Sequence, residues 1–172
     1  LLDVNLSTNL LNNKDEIITL INSFDENIID IMYVSGKYSN KAELKLKHKI
    51  NGWLNLSSFG DGIRKVVLIV STITSSSNCG ILLIDEIETS LHVSALENVY
   101  SWLVKVCKER NIQLFVTTHS LEALTTLTEI GVEDDDIDLV VYKLENYKND
   151  IIIKRIEEHR AMDILEDGGD LR

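Results

Sequence analysis

Ile81-Leu82-Leu83-Ile84-Asp85-Glu86-Ile87-Glu88-Thr89-Ser90-Leu91-His92 is the stretch that decides how this chain is read. Four bulky aliphatics, residues 81–84, stop abruptly at two adjacent carboxylates, Asp85 and Glu86. An apolar run of this length predicts a strand buried on both faces. Acids at its end must lie at the edge of the core, which in an open parallel sheet is where ligands bind. Two carboxylates held together there repel each other unless something positive neutralises them, most simply a metal ion. The stretch therefore points to metal-assisted phosphate chemistry.

Downstream, residues 93–110 form the best amphipathic helix of the chain, with Leu96, Val99, Leu103, Val106 and Cys107 on one face. Residues 112–117 read as a second buried strand, followed by Thr118-His119-Ser120. Strand, helix and strand in this order make a βαβ unit with a right-handed crossover and parallel strands. Parallel strands put Asp85-Glu86 and Thr117-Thr118-His119 on the same edge of the sheet. Upstream, Leu56-Ser57-Ser58-Phe59-Gly60-Asp61-Gly62 opens residues 61–74. Their β-branched residues suit a strand, but the 3.6 spacing of Ile63, Val66, Val67, Val70 and Ile73 predicts a buried helix. A serine and free amides at a helix start make an anion site, and Gly60 and Gly62 allow close backbone approach.

At the flanks, residues 15–24 carry a helical stripe of Ile17, Ile18, Leu20 and Ile21. Residues 28–35 and 42–50 read as a hairpin across the turn-rich Gly36 to Asn40. Residues 121–130 read as a helix, 133–136 as an acidic loop, 137–144 with 151–156 as a closing hairpin, and 162–166 as a helical turn. There are no internal repeats, and with no proline in the chain no linker stands out. The expected class is α/β, parallel buried strands with flanking helices and a β-hairpin at either end. The expected organisation is one domain portion, 1–172: a helix and hairpin (1–55), a core (56–145), and a hairpin strand and helix (146–172).

A chain of 172 residues can bury a sizeable core, and 44% hydrophobic with 26% charged residues is ordinary for a globular domain. Lys and Arg number 17 against 28 Asp and Glu, a net charge of −11 that disfavours a free-standing nucleic-acid binder. Lys45, Lys47, His48 and Lys49 make a small basic face, read as solvated. Asp134-Asp135-Asp136 is likewise read as a solvated loop, not as a two-metal nuclease site, because it precedes a strand. Cys79 and Cys107 fit no metal spacing and are expected to be reduced thiols in or near the core, which suits a cytoplasmic protein. No apolar run approaches the roughly 20 residues of a membrane span, and no signal peptide is visible.

Ser-Ser-Phe-Gly-Asp-Gly at 57–62, Asp-Glu-Ile-Glu-Thr-Ser-Leu-His at 85–92 and Thr-Thr-His-Ser at 117–120, in that order, resemble the C-terminal half of an ABC-type ATPase domain. Their particular forms are similar to the RecF/OLD-like branch of bacterial AAA-family ATPases, many of them attached to nucleases or defence systems. The resemblance implies an ABC-type P-loop NTPase core that uses ATP and Mg²⁺. It implies that Asp85 is the Walker B aspartate holding Mg²⁺, usually through water, and that Glu86 is the catalytic glutamate. His119 would be the switch histidine. Ser58, Gly60, Asp61 and Gly62 would form the signature that reaches the γ-phosphate bound by an opposite subunit. Phe59, where transporters carry glycine, departs from the transporter pattern. Ser90 and His92 stand at the D-loop, where subunits meet. The implied assembly is a homodimer or higher oligomer closed by an ATP sandwich, with an effector protein or nuclease domain as partner and DNA held through another domain. A reading of Glu88 and His92 as metal ligands lacks further ligands at suitable spacing.

No Gly-x-x-x-x-Gly-Lys-Ser/Thr occurs in the chain, and no Q-loop is identifiable. The P-loop supplies the backbone cradle and the lysine for the phosphates. The chain opens on Leu1-Leu2 and not on Met, and is read as the C-terminal part of a longer protein or one half of a split ATPase. A rival reading from another class is a non-hydrolysing scaffold or regulator for an effector. Against it, a scaffold has no physical need for Ser58, Gly60, Asp85, Glu86 and His119 together. A transporter nucleotide-binding subunit fits the signature and D-loop forms less well. The isolated chain is expected to bind ATP weakly or not at all, and calorimetric detection of micromolar Mg-ATP binding by it would overturn that expectation.

Overall fold

In a computed structural model of the protein, the described residues are 14–35, 42–75, 79–134, 136–148 and 150–172. They fall into two units, Leu1–Gly80 with Ser90–Val99, and Ile81–Thr89 with Tyr100–Arg172.

In the first unit, helix α1 (Lys14–Asn22) buries Ile17, Leu20 and Ile21 of the predicted stripe. It packs on strand β1 (Ile28–Ser35) and on helix α2 (Asp61–Ser75). Lys14 pairs with Asp30 on β1, and that hydrogen bond holds the Asp30 carboxyl below its usual range. Strand β2 (Ala42–His48) runs antiparallel to β1, with Leu46 opposite Ile31 and Leu44 opposite Tyr33, so alternate residues of both strands enter the core. The expected turn between them lies outside the described residues.

A third strand, β3 (Gly52–Asn55), pairs antiparallel with β2. Four residues, Gly-Trp-Leu-Asn, are too few for alternation to show in the sequence. The turn that makes it passes through Gly52 at φ +70°, a conformation open to glycine without steric cost. His48 Nδ1 accepts from the amides of Ile50 (3.2 Å) and Asn51 (3.3 Å). His48 thus serves a turn, while Lys47 on the same strand lies 5.8 Å from the Trp53 ring centre.

A short 3-10 turn (Leu56–Ser58) leads into α2, whose Ile63, Val66, Val67, Ile69, Val70 and Ile73 are buried. Its β-branched residues are helical because burial of one long stripe outweighs their small propensity deficit. Two polar residues in that stripe, Ser71 and Thr74, are satisfied by donating back to the carbonyls of Val67 (2.5 Å) and Val70 (2.8 Å).

Strand β4 (Gly80–Ile84) leads into the second unit and forms a two-stranded parallel sheet with β5 (Ile112–Val116), as the α/β class requires. Helix α3 (Val93–Glu109) connects them and buries Leu96, Val99, Leu103, Val106 and Cys107, the predicted face. Burial pushes the Cys107 thiol up to about 11. Three expectations fail, the first being burial of β5, where Phe115 is 46% exposed. Ile81 and Leu83 are 67% and 73% exposed, so β4 is covered on one face only. An apolar run specifies that both faces can be buried, not that both are. Cys79 is exposed, at the left-handed φ of +74° just before β4, and is not a core thiol.

Helix α4 (Leu121–Glu133) is followed by the antiparallel hairpin of β6 (Val140–Tyr147) and β7 (Asp150–Glu157), with Leu144 opposite Ile153. One face of the hairpin packs Val141 and Ile156 against Leu124, Ala161 and Leu171. The terminal helix α5 (Glu158–Glu166) begins a turn earlier than its sequence signal. The acidic loop is tied down at Asp134 and Asp136, which both accept from Lys108 (2.9 and 3.4 Å). Among the described residues no helix is long and apolar enough to cross a membrane.

Leu46 is 0% exposed and Leu68 is 65% exposed. Leu46→Ala should therefore cost about 2–5 kcal/mol in a urea unfolding titration, and Leu68→Ala under about 0.5 kcal/mol.

Candidate functional site

The paired acids stand where β4 ends, and β5 reaches them. Thr117, first residue past β5, donates its amide to the carbonyl of Ile84 and accepts the amide of Ile87 on its own carbonyl, both at 3.0 Å. Its hydroxyl donates to Asp85 Oδ1 and accepts the amide of Glu86 at 2.9 Å. One threonine therefore holds the expected metal-binding Asp85 and catalytic Glu86 by its hydroxyl, and their neighbours Ile84 and Ile87 by its main chain. The bond to Asp85 fixes one carboxylate oxygen.

Glu86 has φ +46°, in the left-handed region that a non-glycine residue enters at a cost of about 1–2 kcal/mol. Three hydrogen bonds hold it there. Besides the Thr117 bond, Thr89 donates its hydroxyl to Glu86 Oε2 and its amide to the Glu86 carbonyl, both at 3.0 Å. The turn swings the glutamate off the strand axis, and its side chain stays exposed.

His119 lies two residues before α4, next to its cap Ser120. Its amide donates to Glu88 Oε1 at 2.9 Å, a second tie across the same edge. Burial pushes the Glu88 carboxyl up, but the hydroxyl of Thr118, the His119 amide and its own amide outweigh it, and the net direction is down. Ser120 caps α4: its hydroxyl oxygen accepts the amide of Ala123 (3.2 Å) and its proton goes to Glu122 Oε2 (2.7 Å). The second unit thus brings together Asp85, Glu86, Glu88, Thr117 and His119.

The remaining expected residues belong to the first unit. Ser58 and Gly60 are exposed just ahead of α2, and the Gly60 carbonyl accepts the amide of Arg64 at 3.3 Å, opening the helix. Asp61 pairs with Arg64. A Cβ at Gly62 would stand 2.7 Å from the carbonyl oxygen of Ser90 and 2.8 Å from Phe24 Cε1. The start of α2 therefore presses on the Ser90 backbone, itself left-handed at φ +67°. His92 opens α3: its carbonyl accepts the Ala95 amide (2.8 Å) and its Nδ1 meets the Ser94 hydroxyl (2.9 Å).

Against known proteins, residues 7–125 match the family described as "AAA domain, putative AbiEii toxin, Type IV TA system". The chain belongs to this AAA-domain family. The AAA domain is 35% identical over 126 residues to an ATP/GTP phosphatase of Helicobacter pylori, a match covering 71% of this chain and 32% of that protein. It is also 37% identical over 90 residues to an uncharacterized protein of Methanocaldococcus jannaschii, covering 52% of this chain and 78% of the relative. The chain thus spans about a third of the Helicobacter relative. Among solved structures it resembles an SMC ATPase described as having ATP-driven dimerization and DNA-stimulated activation (TM-score 0.62, 13% identity, 95% of this chain and 90% of that one). It also resembles the Smc head domain of Pyrococcus yayanosii (TM-score 0.61, 12% identity, 95% and 29%). At these identities the likeness is one of fold: the AAA domain has an ABC/SMC-type ATPase head architecture.

The donor set suits a hard cation, being carboxylate oxygen at a sheet edge. Among the described residues no three His, Cys, Asp or Glu converge as a cage. A cation at Asp85 would draw its other ligands from water and phosphate oxygen, the pattern of Mg²⁺.

In sequence Thr117 carries no legible role, and Glu88 suggests at most a metal ligand beside His92. Each acts on a residue about thirty positions away, which no local pattern reveals.

Gly62→Ala should cost about 1–3 kcal/mol, since the Ser90 backbone must move. Gly60 has open space around it, and Gly60→Ser should leave the unfolding midpoint unchanged or slightly raised, serine being a favoured helix cap.

Proposed function

We propose that this AAA domain is the Walker B and signature portion of an ATP-hydrolysing head of the RecF/OLD-like branch, working as a dimer with ATP between two protomers. The observation that carries the reading is the bonded edge at Asp85, Glu86, Thr117 and His119: two acids, one in a strained turn, fixed against the residues that precede a capped helix. The family description and the Helicobacter relative, an ATP/GTP phosphatase, support it.

In this mechanism Asp85, oriented by Thr117, would hold Mg²⁺, which would supply charge neutralisation to the phosphates. Glu86, aimed by its left-handed turn, orients the attacking water and takes its proton as the water attacks the γ-phosphorus in line. His119 donates a hydrogen bond to the γ-phosphate from the end of β5. Ser58, Gly60 and Gly62 offer hydroxyl and amides to the γ-phosphate held by the opposite protomer, with Asp61 at the helix start, while Ser90 and His92 meet that protomer at the D-loop.

The AAA domain is read as cytoplasmic, coupled to an effector or nuclease, in a defence or DNA-related process. The toxin–antitoxin wording of the family description and the DNA-stimulated SMC neighbour favour that setting, which rests on analogy.

The deciding experiment is ATP turnover by the natural full-length product beside its Glu86→Gln variant. Turnover should fall about 10²- to 10⁴-fold in the variant, with ATP binding kept and the ATP-bound dimer accumulating on a sizing column. Absence of turnover in both, with and without DNA, would sink the reading in favour of the scaffold.

A further inference from the structure

Glu88 lies two residues past Glu86, and the mechanism above gives it nothing to do. Its Oε1 accepts the amide of His119 at 2.9 Å. Its Oε2 is buried without a hydrogen bond of ordinary geometry, although the nearby Thr118 hydroxyl helps hold the carboxyl down. Tyr100 is 0% exposed, its hydroxyl is likewise buried and unpartnered, and it feels the negative charge of Glu88. All of these groups belong to the second unit.

For stability alone this arrangement is poor. Each unmatched buried polar group costs roughly 1–3 kcal/mol, and an apolar residue at 88 with phenylalanine at 100 would remove both. What the carboxylate provides is geometric. It spans from the turn that carries Glu86 to the main chain of His119, whose amide it accepts. Thr117 secures the acids from one side, and Glu88 secures the histidine from the other. One water shared by the two orphaned atoms, Glu88 Oε2 and the Tyr100 hydroxyl, would satisfy both and keep the carboxylate from rotating.

We propose that Glu88, backed by Tyr100, is a positioning residue that fixes His119 relative to Glu86. The proposal rests on the ATPase reading for its consequence in turnover, and on the hydrogen bond itself for its structural part. Glu88 touches neither phosphate nor water in this scheme and acts only through the main chain of His119.

The test uses the natural full-length protein with Glu88→Ala, Glu88→Gln, Tyr100→Phe and the Glu88→Ala/Tyr100→Phe pair. Steady-state kcat and KM for Mg-ATP are measured beside hydrogen–deuterium exchange. Glu88→Ala should lower kcat at least ~10-fold with KM within ~3-fold, as a displaced transition-state group does. Exchange in residues 117–120 should quicken while that of residues 100–107 holds. Glu88→Gln keeps an oxygen for the His119 amide and should restore kcat to within ~3-fold of the parent. Tyr100→Phe should lower kcat less than Glu88→Ala does, and should add nothing on top of it.

Parent-like kcat and exchange in Glu88→Ala would overturn the proposal. So would a Glu88→Gln variant as impaired as Glu88→Ala, a Tyr100→Phe effect that adds in full to Glu88→Ala, or exchange that rises equally throughout the second unit. A parent that hydrolyses no ATP refutes the ATPase reading instead, and exchange at 117–120 then decides the clasp alone.

Discussion

The hydroxyl of Thr117 gives its proton to Asp85 and receives the amide of Glu86, while its main chain bonds Ile84 and Ile87. Remove that group and the end of β4 loses the ties that hold its two acids against the end of β5. Serine could make the same bonds but turns more freely about χ1. The extra methyl of threonine restricts the rotamer, which is what a donor and acceptor shared between two residues needs. A strand pair this short, five residues in each strand, has few ladder bonds of its own. Ties at its C-terminal edge therefore carry much of the alignment.

The same edge holds stored strain. Glu86 adopts a conformation that glycine would take freely, and each of its hydrogen bonds to Thr117 and Thr89 contributes about 0.5–1.5 kcal/mol net. Those bonds offset the cost of about 1–2 kcal/mol without removing it. Strain is tolerated where position matters more than local stability. A glutamate continuing along β4 would project from the sheet plane, with no neighbour to aim it. Ser90 repeats the pattern a few residues on, in the left-handed region with Gly62 pressed against its carbonyl. Both departures from ordinary backbone fall inside the stretch that first marked the chain.

Periodicity carried most of the fold. The face of α3 from Leu96 to Cys107 and the long stripe of α2 follow from side-chain spacing, because burial of a continuous stripe is what makes a helix stable. Strand order, pairing at β1 and β2, and the βαβ connection follow from alternation and from chain-connection rules. What failed was burial of β4: hydrophobicity at Ile81 and Leu83 specifies a preference, whereas exposure depends on what lies opposite. Strand β3 escaped because a four-residue strand has no period. At the candidate site the identities of the acids and the histidine were legible from their place at strand ends. Their holders were not, since a threonine hydroxyl or a glutamate oxygen has many local partners, and only the folded chain selects one across thirty positions.

The electrostatics of the site run against those of the chain. A net charge of −11 repels polyphosphate at long range, yet every phosphate-facing role proposed here falls to neutral donors, to backbone amides, or to one histidine. The conflict is smaller than it looks because the two effects act over different distances. Surface charges are screened beyond about 8 Å at physiological salt, whereas amides and helix starts act at contact, where screening is weak. Dipoles can also be aimed, and a lysine on a flexible stem cannot be aimed as well. The bonds of Thr117 and Glu88 instead set the acids and the histidine in place, and in the proposed mechanism a cation held at Asp85 would supply the positive charge that this edge lacks.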